Sequence, residues 1–342
     1  MKQDVHIYPV LMKTVIWENR KCTEVCKEEN CSIRVKILVT GITGQLGYDV
    51  MLELGKRGHE AIGTARREPD NLQSAMRFIK LDLTDEKAVM NTVERLQPDV
   101  IIHCAAWTAV DAAEDEENRD AVYAANVLAT KYLAEAAKSV NAKMLYLSTD
   151  YVFDGRGTRP WEPEDQCFAP LNYYGLTKLE GEQAVSSALE KFFIVRIAWV
   201  FGLNGKNFIR TMINVGRTHD VVRVVDDQIG TPTYTRDLAR LLADMVETEK
   251  YGCYHATNSE VTPGAYISWA DLAEEAYRAA GMKTKVVRVS TEEYGLSKAK
   301  RPFNSRLDKS KLVKEGFRPL PDWKNAVSRY LMEIGERKDG TD

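Results

Sequence analysis

From residue 35 onward, short apolar runs alternate with longer stretches whose apolar residues recur three and four apart. The first run, 35–40, reads as a buried strand that leads into a glycine-containing turn and a helix to about residue 58. Further strands are expected at 61–65, 78–82, 100–104, 144–148 and 192–197, with a helix ending before Pro98. Apolar strands separated by amphipathic helices predict an α/β fold, a Rossmann-like doubly wound parallel sheet covered on both faces. Ligands of such sheets bind beyond the carboxyl ends of the strands. The later part changes character. Ser268 reads as the N-cap of a helix with Asp271 in its first turn, and two more helical stretches flank 301–307. We expect one unit over 34–342, with a nucleotide-binding core mainly in 34–200 and a smaller C-terminal substrate lobe mainly in 201–335. Residues 1–33 read as an extension of no assigned role, and the last residues as a frayed end.

Composition narrows the partners. The 342 residues are 44% hydrophobic and 28% charged, with a formal net charge of −3, as in a globular chain. No basic excess points to nucleic acid or an anionic membrane. No apolar run approaches the roughly 20 residues of a membrane span. The apolar stretch at 5–17 is interrupted by Pro9 and Lys13 and lacks a small-residue cleavage site, so no signal peptide is read and a cytoplasmic location is the expectation. A monomer or homodimer is expected. Cys104, Cys167 and Cys253 are scattered and read as reduced thiols. Cys22, Cys26 and Cys31 cluster in the extension but lack a C-x-x-C pair and a fourth ligand, so no metal site is assigned.

The turn after the first strand carries Gly41, Gly44 and Gly47 in a G-x-x-G-x-x-G pattern. Glycines there let the backbone approach a pyrophosphate at a helix N-terminus. Gly41, Thr43, Gly44, Gln45, Leu46 and Gly47 are therefore candidate contacts of a dinucleotide. After the second strand the sequence offers Arg66 and Arg67 in place of the Asp or Glu that would hold a ribose 2′-hydroxyl. A guanidinium matches phosphate geometry, which favours NADPH, with NADH as the other possibility. Asp82 and Leu83 are placed against the adenine. Ala105, Ala106 and Thr108, after the fourth strand, are placed along the pyrophosphate and nicotinamide ribose.

Tyr174 and Lys178 stand four apart in Tyr-Gly-Leu-Thr-Lys, so they share a helix face. A cation beside a phenol favours the phenolate and is expected to lower the tyrosine pKa. Tyr173 competes with Tyr174 but has no lysine four residues on. Thr149 is expected to hydrogen-bond a substrate carbonyl, with Ser148 as competitor, while Asp150 is open between a local cap and a catalytic group. A Ser–His–Asp hydrolase is excluded, because no G-x-S-x-G elbow occurs and the five histidines show no link to a serine.

The order of glycine turn, hydroxyl and Tyr/Lys pair resembles the extended branch of the short-chain dehydrogenase/reductase superfamily. The segments 148–155, 170–182, 196–202, 227–233 and 301–307 resemble more narrowly the dTDP-4-dehydrorhamnose reductase family, from about residue 35 to near the C-terminus. The resemblance implies reduction of the 4-keto group of a dTDP-linked 6-deoxyhexose to dTDP-L-rhamnose, a precursor of cell-surface polysaccharide. It places Thr149, Asp150, Val152, Phe153, Trp199, Gln228, Arg301 and Asn304 on the substrate, with Arg306 near them. Two other readings follow from similar segments. One is a non-catalytic subunit resembling the regulatory β subunit of methionine adenosyltransferase. The other is a different nucleotide-sugar reductase or an epimerase that keeps its NAD bound.

Overall fold

Seven parallel strands form the central sheet of the computed structural model, which describes residues 34–69 and 76–337. In chain order they are β1 (Lys36–Thr40), β2 (Glu60–Ala65), β3 (Arg77–Lys80), β4 (Val100–His103), β5 (Lys143–Thr149), β6 (Phe192–Ile197) and β7 (Gly252–His255). Across the sheet the order is β7-β6-β5-β4-β1-β2-β3. Chain order therefore reverses between β4 and β1, which opens a crevice at their carboxyl ends. The extension, with Cys22, Cys26 and Cys31, and residues 338–342 lie outside the described residues. Among the described residues no helix is long and apolar enough to cross a membrane.

Alternation along each strand feeds two cores. Ile37, Val39, Ile102, Leu145 and Val195 face one way and pack on α1 (Gln45–Lys56) and on the helix Thr235–Val246. Leu38, Ile101, Met144, Tyr146 and Ile194 face the other way. They meet α2 (Glu86–Leu96) and the helices Ala129–Ser139 and Tyr173–Ala188. Each such side chain contributes about 1.5–3 kcal/mol when fully buried, so both faces are closed by ordinary apolar packing. The helix α2 is capped by Asp85, whose side chain accepts from Ala88 N, and it ends on Gln97 in the left-handed region just before Pro98.

Between β4 and β5 the chain runs through α3 (Arg119–Tyr123), one π-helical turn (Ala124–Leu128) and α4 (Ala129–Ser139). Between β5 and β6 lies α5 (Tyr173–Ala188), capped by the Asn172 side chain, which accepts from Gly175 N. The later residues build a third cluster around Phe201, Ile209, Tyr234, Tyr277, Trp323 and Tyr330. Its helix Trp269–Ala279 opens with a capping box between Ser268 and Asp271, where the sequence placed the cap. The span 201–335 also returns to the large sheet, because β7 pairs with β6 in register Gly252↔Phe193 to His255↔Arg196. That strand escaped the sequence reading. It is four residues long, carries a histidine, and begins on a glycine at φ 122°.

Candidate active site

The glycine turn sits where β1 delivers it, at the crevice. Gly41 has φ 72°, and a Cβ on it would lie 2.7 Å from the backbone of Ala105. A Cβ on Gly47 would lie 2.4 Å from the Gly41 carbonyl oxygen, so α1 starts directly against the turn. Gly44 is the N-cap of α1, has no side chain to satisfy the first amides, and is exposed together with Thr43. Uncapped amides, a positive helix end and a backbone that no Cβ obstructs fit a pyrophosphate. Gln45 lies at the rim and its amide donates to the Lys206 carbonyl, whereas Leu46 is buried in the first core.

Around the turn, Thr64 keeps a buried hydroxyl without a hydrogen-bond partner among the described residues. Arg66 and Arg67 are exposed, and neither forms an ion pair among the described residues. The Asp82 carboxylate accepts from Thr84 N and Oγ1, bonds that hold its pKa below the usual value, with Arg66 assisting. Leu83 is half-buried beside it. On the other side, Ala105 and Ala106 are half-buried and Thr108 is exposed.

The end of β4 is braced by a chain of hydrogen bonds whose direction is fixed. Thr130 Oγ1 donates to the Asn126 carbonyl at 2.7 Å, so it accepts from His103 Nε2 at 3.1 Å. His103 Nδ1 then accepts from Thr40 Oγ1 at 2.7 Å, and Thr40 accepts from Ala105 N. Burial, with Lys178 nearby, pushes the His103 pKa down to about 3, so the ring stays neutral. In the π turn, Asn126 clamps Trp107 through both its N–H and its carbonyl and reaches Thr177 on α5. None of this was visible in the sequence, where Asn126 sits among small apolar residues without a motif.

Thr149 ends β5, and Asp150 opens the short turn Asp150–Val152. The hydroxyl of Thr149 donates to Asp150 Oδ1 at 3.0 Å and accepts from Tyr151 N at 3.3 Å. Across from them α5 begins, pressed so close that a Cβ on Gly175 would lie 2.4 Å from the Tyr151 carbonyl oxygen. Tyr174 stands edge-on to Tyr151, with ring centres 5.8 Å apart. One turn on, the buried ammonium of Lys178 donates to the Leu147 carbonyl at 2.7 Å. Ser148 has a buried hydroxyl with no partner among the described residues. The fold thus gathers Thr149, Asp150, Tyr174 and Lys178 at the carboxyl end of β5, beside the glycine turn's crevice.

The electrostatics differ from the expected pairing. Burial, then the Asp150 charge, pushes the Tyr174 phenol up, and the nearby Thr149 hydroxyl only partly opposes this. Lys178 does not hold it down, because its own burial lowers the ammonium to about 7 and its bond to Leu147 turns it away. Tyr174 is therefore a retained proton rather than a phenolate in the ligand-free protein.

The expected sugar contacts divide. Trp199 is half-buried in the left-handed region at φ 51° and stacks on Trp269, with ring centres 3.9 Å apart. Gly230 makes room at its edge, since a Cβ there would come 3.3 Å from Trp199. Val152 and Phe153 turn their side chains inward. Both are fully buried, and Phe153 stacks on Trp161 under the Arg196 guanidinium. Asn304 is likewise buried and spent on the carbonyls of Arg156 and Arg159. Gln228 is buried and donates to Thr291 Oγ1. Arg301 is paired with Asp111 at 2.6 Å, a partner 190 residues away in sequence. Arg306 donates to Asn304 Oδ1 and has no carboxylate partner among the described residues.

A family model described as the RmlD substrate binding domain matches residues 35–335. The chain is 40% identical over 301 residues to the dTDP-4-dehydrorhamnose reductase of Streptomyces griseus, covering 86% of this chain and 92% of that one. This chain belongs to the dTDP-4-dehydrorhamnose reductase family. The crystal structure of a dTDP-4-dehydrorhamnose reductase from Clostridium acetobutylicum matches with a TM-score of 0.79 at 39% identity. That match covers 88% of this chain and 99% of the other. The dTDP-4-dehydrorhamnose reductase of Bacillus anthracis, solved in complex with NADP, matches with a TM-score of 0.78 at 36% identity, covering 88% and 100%. The family match spans the glycine turn, the Tyr174 helix and the 301–307 segment together, and it does not favour the regulatory-subunit or epimerase readings.

Proposed function

We propose that this chain reduces the 4-keto group of dTDP-4-dehydro-6-deoxy-L-mannose to give dTDP-L-rhamnose, in the cytoplasm, with NADPH as the preferred donor. The observation that carries the proposal is the meeting of Thr149, Tyr174 and Lys178 beside an uncapped glycine turn, within a chain that matches the reductase family over 35–335. The glycine turn and the free amides of α1 would hold the pyrophosphate. Arg66 would face the adenosine, and a 2′-phosphate there suits its guanidinium. When bound, the reduced nicotinamide supplies the hydride.

The chain's own residues handle the oxygen. Thr149 orients the keto group by a hydrogen bond. The Tyr174 O–H bond breaks as a new O–H bond forms on the sugar C4 oxygen, so the alkoxide never develops free in a poorly solvated site. Lys178, one helical turn further along α5, would supply positive charge toward the tyrosinate that remains. Arg301 is the candidate partner of the diphosphate and Trp199 offers an apolar face to the deoxysugar.

The direct test is incubation with dTDP-4-keto-6-deoxy-L-lyxo-hexose and NADPH, following loss of NADPH absorbance and appearance of dTDP-rhamnose. Folded protein that consumes no NADPH overturns the proposal. NAD that copurifies and is not consumed would instead favour an epimerase.

A further inference from the structure

Thr149 has one hydroxyl proton and two claimants for it. A hydroxyl offers one donor and two acceptor lone pairs. In the ligand-free protein the donor goes to Asp150 Oδ1 at 3.0 Å, and one lone pair receives Tyr151 N. Orienting a keto oxygen needs that same proton. We propose that Asp150 is a positioning residue whose protonation decides where the Thr149 proton points, and that reduction proceeds in the Asp150-protonated form. This inference rests on the reductase reading above.

The count closes only with Asp150 neutral. A protonated carboxyl donates to Thr149, and Tyr151 N fills the other lone pair. The Thr149 proton is then released to the keto oxygen, beside the proton of Tyr174. No covalent bond other than carboxyl O–H changes, and solvent supplies that proton. With Asp150 ionised, the carboxylate is the stronger acceptor and keeps the hydroxyl.

The surroundings favour the neutral form. Asp150 is 1% exposed, and its second oxygen is buried without a hydrogen-bond partner among the described residues. The Ser305 hydroxyl lies beside it but outside hydrogen-bond geometry. The other groups facing it are the phenols of Tyr151 and Tyr174, which its charge opposes. Arg301, beyond Tyr151, is paired with Asp111. Burial pushes Asp150 up to about 6 against the hydroxyls of Ser305 and Thr149. A bound diphosphate and the exclusion of water act in the same direction, so the group should titrate higher in the ternary complex than in the free protein.

The test is the pH dependence of kcat and kcat/KM across about pH 5 to 9 for the full chain. NADH should be run in parallel, because the 2′-phosphate of NADPH titrates near the same range, about pH 6. Wild type should lose about tenfold in kcat/KM per pH unit above the Asp150 pKa on top of the Lys178 limb, with the kcat limb displaced upward. Asp150→Asn and Asp150→Ala should lose that limb, because neither can charge. Thr149→Val should lose it too, at a lower overall rate, because no hydroxyl remains to be contested. Lys178, near 7, leaves its own limb in every variant, so the readout is the removal of one proton from the slope. Retention of the Asp150 limb in folded Asp150→Asn or in Thr149→Val overturns the inference. So does a folded Asp150→Asn that is inactive at every pH. Absence of wild-type turnover would instead remove the reductase reading beneath it.

Discussion

The ammonium of Lys178 lies 4.0 Å above the centre of the Tyr146 ring. This contact and the Leu147 carbonyl hold the cation in a buried site where it would otherwise be poorly solvated. Tyr146 can lie under α5 only because residue 181 is glycine. A Cβ there would sit 2.2 Å from the Tyr146 hydroxyl oxygen and 3.0 Å from the Asn126 carbonyl oxygen. Gly181→Ala should therefore push the ring or the helix and displace Lys178. We expect a stability loss of about 1–3 kcal/mol by thermal unfolding, typical of overpacking, together with reduced turnover. An alanine variant with unchanged Tm and unchanged kcat would show that the site tolerates the shift.

Tyr174→Phe keeps the ring beside Tyr151 and removes the proton. General acid catalysis contributes on the order of a hundredfold to ten-thousandfold, so kcat should fall in that range while cofactor affinity and Tm stay near wild type. Thr149→Val should cost less at its best pH, since one neutral hydrogen bond is lost and the donor remains. A Tyr174→Phe protein that reduces the keto sugar at the wild-type rate removes Tyr174 as the acid.

The strands were readable because parallel strands buried on both faces are continuous apolar runs; Val100-Ile-Ile is one, fully buried in the structure. The glycine turn and the i, i+4 spacing of Tyr174 and Lys178 were equally local, and local patterns survive in sequence. What Lys178 touches was not readable, since Tyr146 and Leu147 reach it through the packing of α5 on β5. The same holds for Arg301, whose partner Asp111 is 190 positions away. Trp269 carries no motif either, and only the stack on Trp199 reveals it. Val152 and Phe153 turn out fully buried, because adjacency to Thr149 in sequence does not decide which face of a turn meets solvent.

Arg66 and Arg67 follow β2, are exposed, and form no ion pair among the described residues. Replacing both with alanine should raise the KM for NADPH much more than that for NADH, because only the 2′-phosphate loses a partner. Steady-state kinetics with each cofactor gives the comparison. Equal losses would assign the 2′-phosphate to other groups.

Arg301 is held by Asp111 at 2.6 Å, and Lys298 pairs with Asp115 in the same strap. The strap also takes Asn172 Nδ2 on the Lys300 carbonyl, next to the start of α5. Arg301→Ala should therefore raise the KM for the nucleotide sugar and also loosen the strap. Arg301→Lys keeps the charge but not the two-pronged bond to Asp111, so it should recover part of the KM and little of the stability. Titration of the dTDP sugar against each variant, alongside Tm, separates the two effects. An unchanged KM in Arg301→Ala would leave the pair purely structural.

Asp49 on α1 is buried and accepts from Thr235 Oγ1 at 2.5 Å, which joins α1 to the helix that follows Tyr234. Burial raises its carboxyl to about 6 despite that bond, with Glu333 adding to the rise. The folded state therefore holds the Asp49 proton more tightly than the unfolded chain, whose value is 3.8. Below the unfolded pKa both states are protonated and the group is neutral toward stability. As pH rises through the window from 3.8 to about 6, the unfolded chain ionises first and stability falls. Above it the full cost is present, on the order of 2 to 3 kcal/mol. Asp49→Asn keeps an oxygen for Thr235 and removes the charge. It should therefore raise Tm at about pH 7.5 and do so much less at about pH 4, as read by thermal unfolding of both proteins at each pH. An equal shift at both values would mean that the substitution acts through packing and that the Asp49 charge carries no cost in the folded protein.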